Sequence, residues 1–483
     1  MIHLNYPIDK LVKAEYNPRT ITTESEEKLL DSISKIGMAK PIIVRENTIV
    51  AGHQRVNALR KLGKDSAPVF LLSKNATTYD EVSFNQLHNG TDLDFGCENA
   101  RVTCDIKGKR GFVTIEPEHL SANLKCAGVI LRIQINRLIG LYGNWGSVVA
   151  TDDGEIIHCA QYAIAIINLA KPLLVYVIDS KSKDYFRNLL GSKYGEFSYD
   201  HLERYTYVQS FVQPFRHNKN STFELEKGGE GSLYGKVLHP ILKKNPKLRV
   251  LDFGSGRGEN ALDLKKKGFD ICGLEFFRRD KTGAIDQFST NAMIDRVIWE
   301  IKNRGRFDVV VCDYVLNSVN SLEAEDDVLR CLQYFAKPKG IICFSGRTDT
   351  EEQVKKTSKM SGKASLYRLL NFSDTNGFTA NYRKGVWVFQ KFHDATQRQE
   401  LLTRMGWEQT RSLLNGAYGW TMQVKNSDTI DREKTMASLK REFNMVLNIR
   451  KATQGRDADI LKAFEIEQTN ASTKFSENNS DNH

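Results

Sequence analysis

The sequence predicts an α/β protein made of several modules in succession. Three observations point that way. Short apolar runs alternate with segments of helical spacing over residues 1–75. The second half of that pattern recurs from Thr151 to Ile178. From Arg249 onward, strands and helices alternate again around a glycine-rich turn. At 483 residues the chain has room for about three domains.

In the first stretch, Thr23 can cap a helix whose apolar positions Leu29, Leu30, Ile33 and Ile36 recur at helical spacing, and Gly37 ends it. Asn17-Pro18-Arg19 before it is a turn. Pro41 to Val44 and Thr48 to Ala51 read as strands joined by the polar turn Arg45-Glu46-Asn47. Gly52 then opens a second helix with Val56, Leu59 and Leu62 inward, Gly63 closes it, and Val69 to Leu72 is a last strand.

The later copy aligns Ile49/Ile156, Gln54/Gln161, Ala58/Ala165, Leu62/Leu169 and Lys64/Lys171. Cys159 and Tyr162 replace Gly52 and Arg55 there, so the second copy has lost the two diagnostic residues of its turn. A chance match between two strand–turn–helix–strand units is the alternative to duplication.

The third stretch begins with a helix expected over Leu233 to Lys244, preceded by the glycine-rich Lys227 to Ser232. Strands follow at Val250 to Phe253, Asp270 to Glu275, Phe307 to Cys312 and Gly340 to Phe344. Val386 to Phe389 and Tyr418 to Val424 are expected to complete the sheet, with a helix from Thr396 to Met405 between them. The resulting division is 1–75, a linker 76–110, a second copy 111–205, a connector 206–245, a third domain 246–427, a helical segment 428–468 and a polar tail 469–483 expected to be disordered.

Composition narrows the function classes. No apolar run approaches the roughly 18–20 residues that span a bilayer, so no membrane partner is expected. The eight cysteines contain no C-x-x-C pair, which argues against a zinc ribbon or a disulfide framework, and no metal site is expected. Reduced thiols and the absence of a secretory leader suggest a cytoplasmic protein. The formal charge of +10 is compatible with a polyanionic partner, though many basic proteins have none.

The strongest chemical signal is Val250-Leu251-Asp252-Phe253-Gly254-Ser255-Gly256-Arg257-Gly258. A buried strand ends in a carboxylate, and glycines let the backbone approach a ligand without Cβ clashes. Glu275, ending the next strand, can accept two ribose hydroxyls. The acid lies before the glycines, and D-x-G-x-G-x-G is not the dinucleotide pattern G-x-G-x-x-G, so NAD is disfavoured. The alternative is a plain strand–turn–helix connection.

This stretch resembles the class I S-adenosylmethionine-dependent methyltransferases, over roughly residues 230–427. The resemblance implies a Rossmann-like, seven-stranded domain. It also implies S-adenosylmethionine held by Asp252, Phe253, Gly254, Ser255, Gly256 and Glu275. After the fourth strand come Cys312-Asp313-Tyr314-Val315-Leu316-Asn317. Methyltransferases of exocyclic amines in DNA carry an acid or Asn, two prolines and an aromatic here. This chain has the acid and the tyrosine without the prolines. Asp313 can accept hydrogen bonds from a target amine while Tyr314 stacks on an extruded base. Cys312 reads as a buried strand residue, since no Pro-Cys pair is present.

The turn Gly52-His53-Gln54-Arg55 brings a glycine backbone, a helix N-terminus and a guanidinium together, a plausible phosphate site. With Asn17-Pro18-Arg19 and Pro41 to Val44 it resembles the ParB/sulfiredoxin-like N-terminal domain over residues 1–75. The resemblance implies nucleotide or DNA-associated phosphates as ligands. His53 stands where sulfiredoxins place a reactive cysteine, and a structural role for it is as compatible as a catalytic one. Residues 111–205 then read as a degenerate ParB-like domain serving as scaffold or docking surface.

The combination implies a DNA methyltransferase of phage or mobile-element type, with DNA and a nucleotide as partners. Two alternatives stay open: a ParB-type nucleotide-dependent DNA-binding protein or nuclease, and a methyltransferase for a protein or small molecule.

Overall fold

The computed structural model describes residues 2–16, 20–73, 75–89, 100–123, 129–190, 199, 202, 233–256, 258–278, 285–348, 373–383, 386–415, 419–444, 446–447, 450–451 and 455–467. The turn at Asn17-Pro18-Arg19, the loop at Lys227 to Ser232 and the tail from Thr469 lie outside them. The chain divides into two compact units: Met1–Leu202, with Ser361–Thr375 and Asn381–Val386, and the remainder.

The first unit opens with β1 (Ile2–Pro7), β2 (Val12–Lys13), α1 (Thr23–Ile36), β3 (Ile42–Arg45), β4 (Thr48–Ala51), α2 (His53–Lys61) and β5 (Ser66–Leu71). Thr22, one residue before the expected cap, accepts from the Ser25 N–H to start α1. The sheet order is β1-β5-β3-β4-β2. Strand β1 runs antiparallel to β5, β5 parallel to β3, and β3 antiparallel to β4.

Helix α3 (Thr78–Asn89) follows, within the stretch expected to be a linker. It is instead part of the core: Phe84 is fully buried, edge-on to Tyr142 and Trp145 with ring centroids 5.3 and 5.6 Å away. The polar Glu81, Asn85 and His88 are buried beside Val82 and Phe84, so its apolar helical period is weak in sequence. The chain continues through β6 (Arg101–Val102), β7 (Gly111–Ile115), β8 (Leu120–Ser121), α4 (Val129–Tyr142), β9 (Val148–Thr151), β10 (Ile156–His158), α5 (Ala160–Asn168), β11 (Leu173–Ile178) and α6 (Lys183–Leu190).

The second sheet has the order β7-β11-β9-β10. Its directions, antiparallel, parallel and antiparallel in turn, repeat those of β1-β5-β3-β4 strand for strand. The turn geometry repeats as well. Gly52 caps α2 at φ 106°, and Cys159 caps α5 at φ 61°. A non-glycine residue in that left-handed region costs roughly 1–2 kcal/mol, so the second copy keeps the turn shape against its local preference.

The two halves pack within this unit. The Ser147 hydroxyl donates to the Ala39 carbonyl at 2.8 Å, and the Tyr176 hydroxyl donates to the Ile36 carbonyl. A Cβ at Gly37, whose φ is +92°, would overlap that Tyr176 hydroxyl. One glycine therefore both ends α1 and admits the neighbouring half.

In the second unit, β12 (Arg249–Phe253), α8 (Glu259–Lys266), β13 (Asp270–Leu274), α9 (Gln287–Arg304), β14 (Phe307–Cys312), α10 (Leu322–Phe335) and β15 (Ala336–Arg347) form the doubly wound part, entered through α7 (His239–Lys244). Before α7, Leu233–Leu238 is a π-helical turn rather than the start of one continuous α-helix, and Pro240 follows in the first turn of α7.

Later come β16 (Phe378–Arg383) and β17 (Val386–Lys391), whose residues 381–383 and 386 are counted with the first unit, and then α11 (Ala395–Met405), β18 (Glu408–Asn415), β19 (Gly419–Lys425) and α12 (Arg432–Glu442). The sheet order is β13-β12-β14-β15-β19-β18, six strands among the described residues where seven were expected. The first four are parallel, β19 runs antiparallel to β15, and β18 runs antiparallel to β19. The strand expected at Val386 to Phe389 does not join this sheet; β17 pairs with β16 instead. Its place is taken by the polar strand β18, which hides in sequence because an edge strand needs no apolar alternation.

The helical segment expected over 428–468 contributes to this core. Phe443, Ile460 and Phe464 are fully buried in one cluster with Tyr334 and Phe335. Arg441 grips Asp327 of α10 with two hydrogen bonds of 2.7 and 2.6 Å. No helix among the described residues is long and apolar enough to cross a membrane.

Candidate active site

Strand β12 lies between β13 and β14, so its last residues are enclosed from both sides. Asp252 is fully buried there, and the Tyr234 hydroxyl of the π-helical turn donates to its Oδ1 at 2.8 Å. Its Oδ2 has no hydrogen-bond partner among the described residues. Burial pushes the Asp252 pKa up to about 7, opposed by the Tyr234 bond and reinforced by the negative charges of Asp313 and Glu275. A buried, half-satisfied carboxylate of this kind is suited to a cationic or amino-bearing ligand.

The turn after it is left-handed at Gly254, Gly256 and Gly258. The three glycines differ in what they serve. A Cβ at Gly254 would overlap the Val315 side chain, so this position is demanded by the protein itself. At Gly256 and Gly258 a Cβ would meet nothing, leaving open space over the backbone. Phe253 turns its ring into the core against Phe276, so only its backbone is available to a ligand. Glu275 accepts from the Gly256 N–H at 2.6 Å and from the Phe277 N–H at 2.7 Å, tying the glycine turn to the end of β13. Arg278 closes the same link by donating to the Gly256 carbonyl at 3.1 Å.

At the end of β14, Asp313 accepts from the Ser345 hydroxyl of β15 at 2.6 Å, and burial pushes its pKa up to about 6. Ser345 accepts in turn from the Tyr314 N–H at 2.8 Å. That contact holds Tyr314 at φ 57°, a strained value for an aromatic residue. Asn317, in the next turn, is buried with its Oδ1 unpartnered among the described residues. Cys312 is fully buried and its thiol is pushed well up by burial, as a strand residue should be.

The sequence reading missed Tyr234 and Ser345. Both sit on elements remote in the chain from the carboxylates they hold, and neither lies in a motif. Asn317 was visible in the fourth-strand segment without any signal of its isolation.

In the first unit, one of the residues expected at the Gly52 phosphate site lies in the core. The His53 ring is buried, accepts from the Ala14 N–H at 3.2 Å, and its pKa falls to about 4 through burial and the charges of Lys13 and Arg55. A neutral ring turned inward is a packing and acceptor group, which removes His53 from the phosphate-facing set. Gln54 and Arg55 are half-buried on α2. Arg55 donates to the Lys40 and Pro41 carbonyls at 2.8 and 3.2 Å. Tyr162, its counterpart, likewise reaches the segment before the matching strand, β9: it accepts from the Gly146 N–H at 2.8 Å and donates to Asn144.

Fold and site together define a methyltransferase domain joined to a ParB N-terminal domain. The methyltransferase domain model matches residues 229–408, and the ParB N-terminal domain model matches residues 3–85. The ParB-like nuclease domain-containing protein YnaK of Escherichia coli (strain K12) is 40% identical over 68 residues, which are 14% of this chain and 78% of that protein. The chain belongs to the ParB-like family, and it carries a methyltransferase domain in addition.

Among solved structures, magnesium protoporphyrin IX methyltransferase from Synechocystis PCC 6803, with bound SAH, is 14% identical over 41% of this chain and 83% of its own, at a TM-score of 0.26. The C-terminally truncated ParB of Caulobacter crescentus, complexed with CTP-gamma-S, is 25% identical over 20% of this chain and 56% of its own, at a TM-score of 0.18.

The residues fit the cofactor that a methyltransferase domain implies. The unpartnered Oδ2 of Asp252 and the open backbone at Gly256 and Gly258 are the features an amino-bearing, nucleoside-type ligand requires.

Proposed function

We propose that this chain transfers a methyl group from S-adenosylmethionine to a base of DNA, and that its ParB-like modules contact DNA or nucleotide phosphates. The observation that supports the reading best is the pair Asp313–Ser345, beside the turn that Asp252 and the glycines form. Asp252, Gly254, Ser255, Gly256 and Glu275 would hold the cofactor, with Phe253 contributing its backbone. When bound, that cofactor supplies an electrophilic methyl group.

The chain's own residues then do the positioning. Asp313, fixed by Ser345, accepts an N–H of the acceptor amine and takes the proton the nitrogen sheds on methylation; a pKa near 6 suits that role at neutral pH. Tyr314, held in its strained turn, offers a ring for stacking a base. Most of the rate enhancement comes from alignment of nucleophile and methyl carbon. In the ParB-like half, Gly52, Gln54 and Arg55 would meet a phosphate at the start of α2.

Labelled S-adenosylmethionine incubated with DNA, RNA and protein, followed by mass identification of the labelled product, tests the reading. A methylated deoxynucleoside is expected. Label confined to protein or small molecules would replace DNA as the substrate. No transfer at all, with nucleotide turnover abolished by Arg55→Ala, would favour a nucleotide-dependent DNA-binding protein.

A further inference from the structure

The segments that follow α7 and α8 lead into neighbouring strands, where Arg249 of β12 pairs with Asp270 of β13. Leu242 of α7 and Leu264 of α8 are fully buried in one cluster, with Leu248 and Phe269 packed against it. The His239 ring stands edge-on to Phe269 at 6.3 Å. Each helix finishes in lysines: Lys243, Lys244 and Lys247 around the end of α7, and Lys265, Lys266 and Lys267 at the end of α8, all exposed. The nearby carboxylates are already neutralised. Asp263 pairs with Lys267 at 3.2 Å and Asp270 with Arg304 at 2.6 Å. No ion-pair partner is found among the described residues for the other five lysines.

This array faces away from the glycine turn. Helix α8 starts at Gly258 in that turn and runs 8 residues, about 12 Å, before reaching Lys266. The lysines therefore sit at the amino ends of the parallel strands, on the edge of the sheet opposite the candidate active site. Helix C-termini favour cations, which accounts for one or two lysines on each helix but not for six before two neighbouring strands.

We infer that this lysine array is a second, sequence-independent docking surface for the phosphate backbone of duplex DNA; the inference rests on the nucleic-acid reading above. Its chemistry selects that partner. Lysines are point charges that neutralise phosphates without the bidentate geometry of base readout. Among the described residues the patch has no fully exposed aromatic side chain of the kind single-strand binding by stacking would need; Phe269 is partly buried against the cluster. Among the described residues Leu262 is the large apolar side chain exposed there, too little for insertion into a membrane surface. A duplex held here lies outside the acceptor pocket, so the surface retains DNA on the enzyme while another segment reaches Asp313.

The test uses the full chain with Lys243→Gln/Lys244→Gln/Lys247→Gln and Lys265→Gln/Lys266→Gln/Lys267→Gln, titrated with a long duplex across a range of salt. Each triple variant should bind about tenfold or more weakly, with the log–log salt slope shallower by about 0.9 for each phosphate no longer neutralised. Arginine at the same positions should restore both. Affinity for S-adenosylmethionine, measured by calorimetry, should stay at the wild-type value and reports folding. Wild-type slopes in both variants would overturn the surface while leaving the DNA reading standing. A wild-type protein without salt-sensitive duplex binding would overturn both.

Discussion

The Tyr234 hydroxyl donates to Asp252 Oδ1 at 2.8 Å across 18 residues of chain, leaving the second carboxylate oxygen buried without a partner among the described residues. The pair makes the cofactor end of the site sensitive to pH. Burial raises the Asp252 pKa in the folded protein to about 7, above its unfolded value near 3.9. The folded state therefore binds more protons than the unfolded one between those values, and its stability falls as pH rises through that window. Thermal melts of the ligand-free protein from pH 5 to 8 should show the decline, and Asp252→Asn should flatten it. Affinity for S-adenosylmethionine should move the opposite way, rising with pH as the carboxylate ionises. A pH-independent affinity would mean that Asp252 does not face the ligand's charge.

Tyr234→Phe removes the hydrogen bond that, among the described residues, opposes protonation of Asp252. The midpoint of the pH-dependent binding should shift upward, and affinity at pH 7 should weaken by about 1–2 kcal/mol. Calorimetry at three pH values distinguishes this from a uniform loss caused by misfolding.

Asp313→Asn should lower turnover by roughly 10²–10⁴-fold while leaving S-adenosylmethionine affinity near wild type. Ser345→Ala should cost less and carry a signature. Because the Ser345 bond holds the Asp313 pKa down against burial, its loss should move the rise of kcat with pH to a higher midpoint. Equal turnover in both variants would place the acceptor elsewhere.

Gly254→Val separates a structural glycine from the open ones. Its side chain would collide with Val315 in a turn at φ +77°. Overpacking of about 1–3 kcal/mol adds to a backbone penalty of roughly 1–2 kcal/mol, so the melting temperature should drop. Gly256→Ala meets no atom and should spare more stability while weakening the cofactor. Comparable melting losses in the two would contradict the distinction.

Arg55→Ala should cost about 1–3 kcal/mol of stability, because its guanidinium links α2 to the carbonyls of Lys40 and Pro41. Tyr162→Phe, the matching change in the second copy, should cost about 1–2 kcal/mol. The two part company on DNA: Arg55→Ala should flatten the salt dependence of binding by about 0.9, and Tyr162→Phe should leave it unchanged. Duplex binding at several salt concentrations checks both.

What the sequence determined by itself was local. The helical period of Leu29, Leu30, Ile33 and Ile36, the strand ending in Asp252 and the glycine turns at 52 and 254–258 are written in adjacent residues, since φ preferences and side-chain periodicity act over one or two turns. The tertiary structure decided the partners. Ser345 reaches Asp313 across 32 residues only because β14 and β15 are neighbours in the sheet, and His53 accepts from Ala14 across 39 because its helix packs on that segment. The strand β18 and the buried rings of Phe443 and Phe464 were hidden for the same reason. Edge pairing and core membership depend on which surface an element meets, and nothing in its own period specifies that surface.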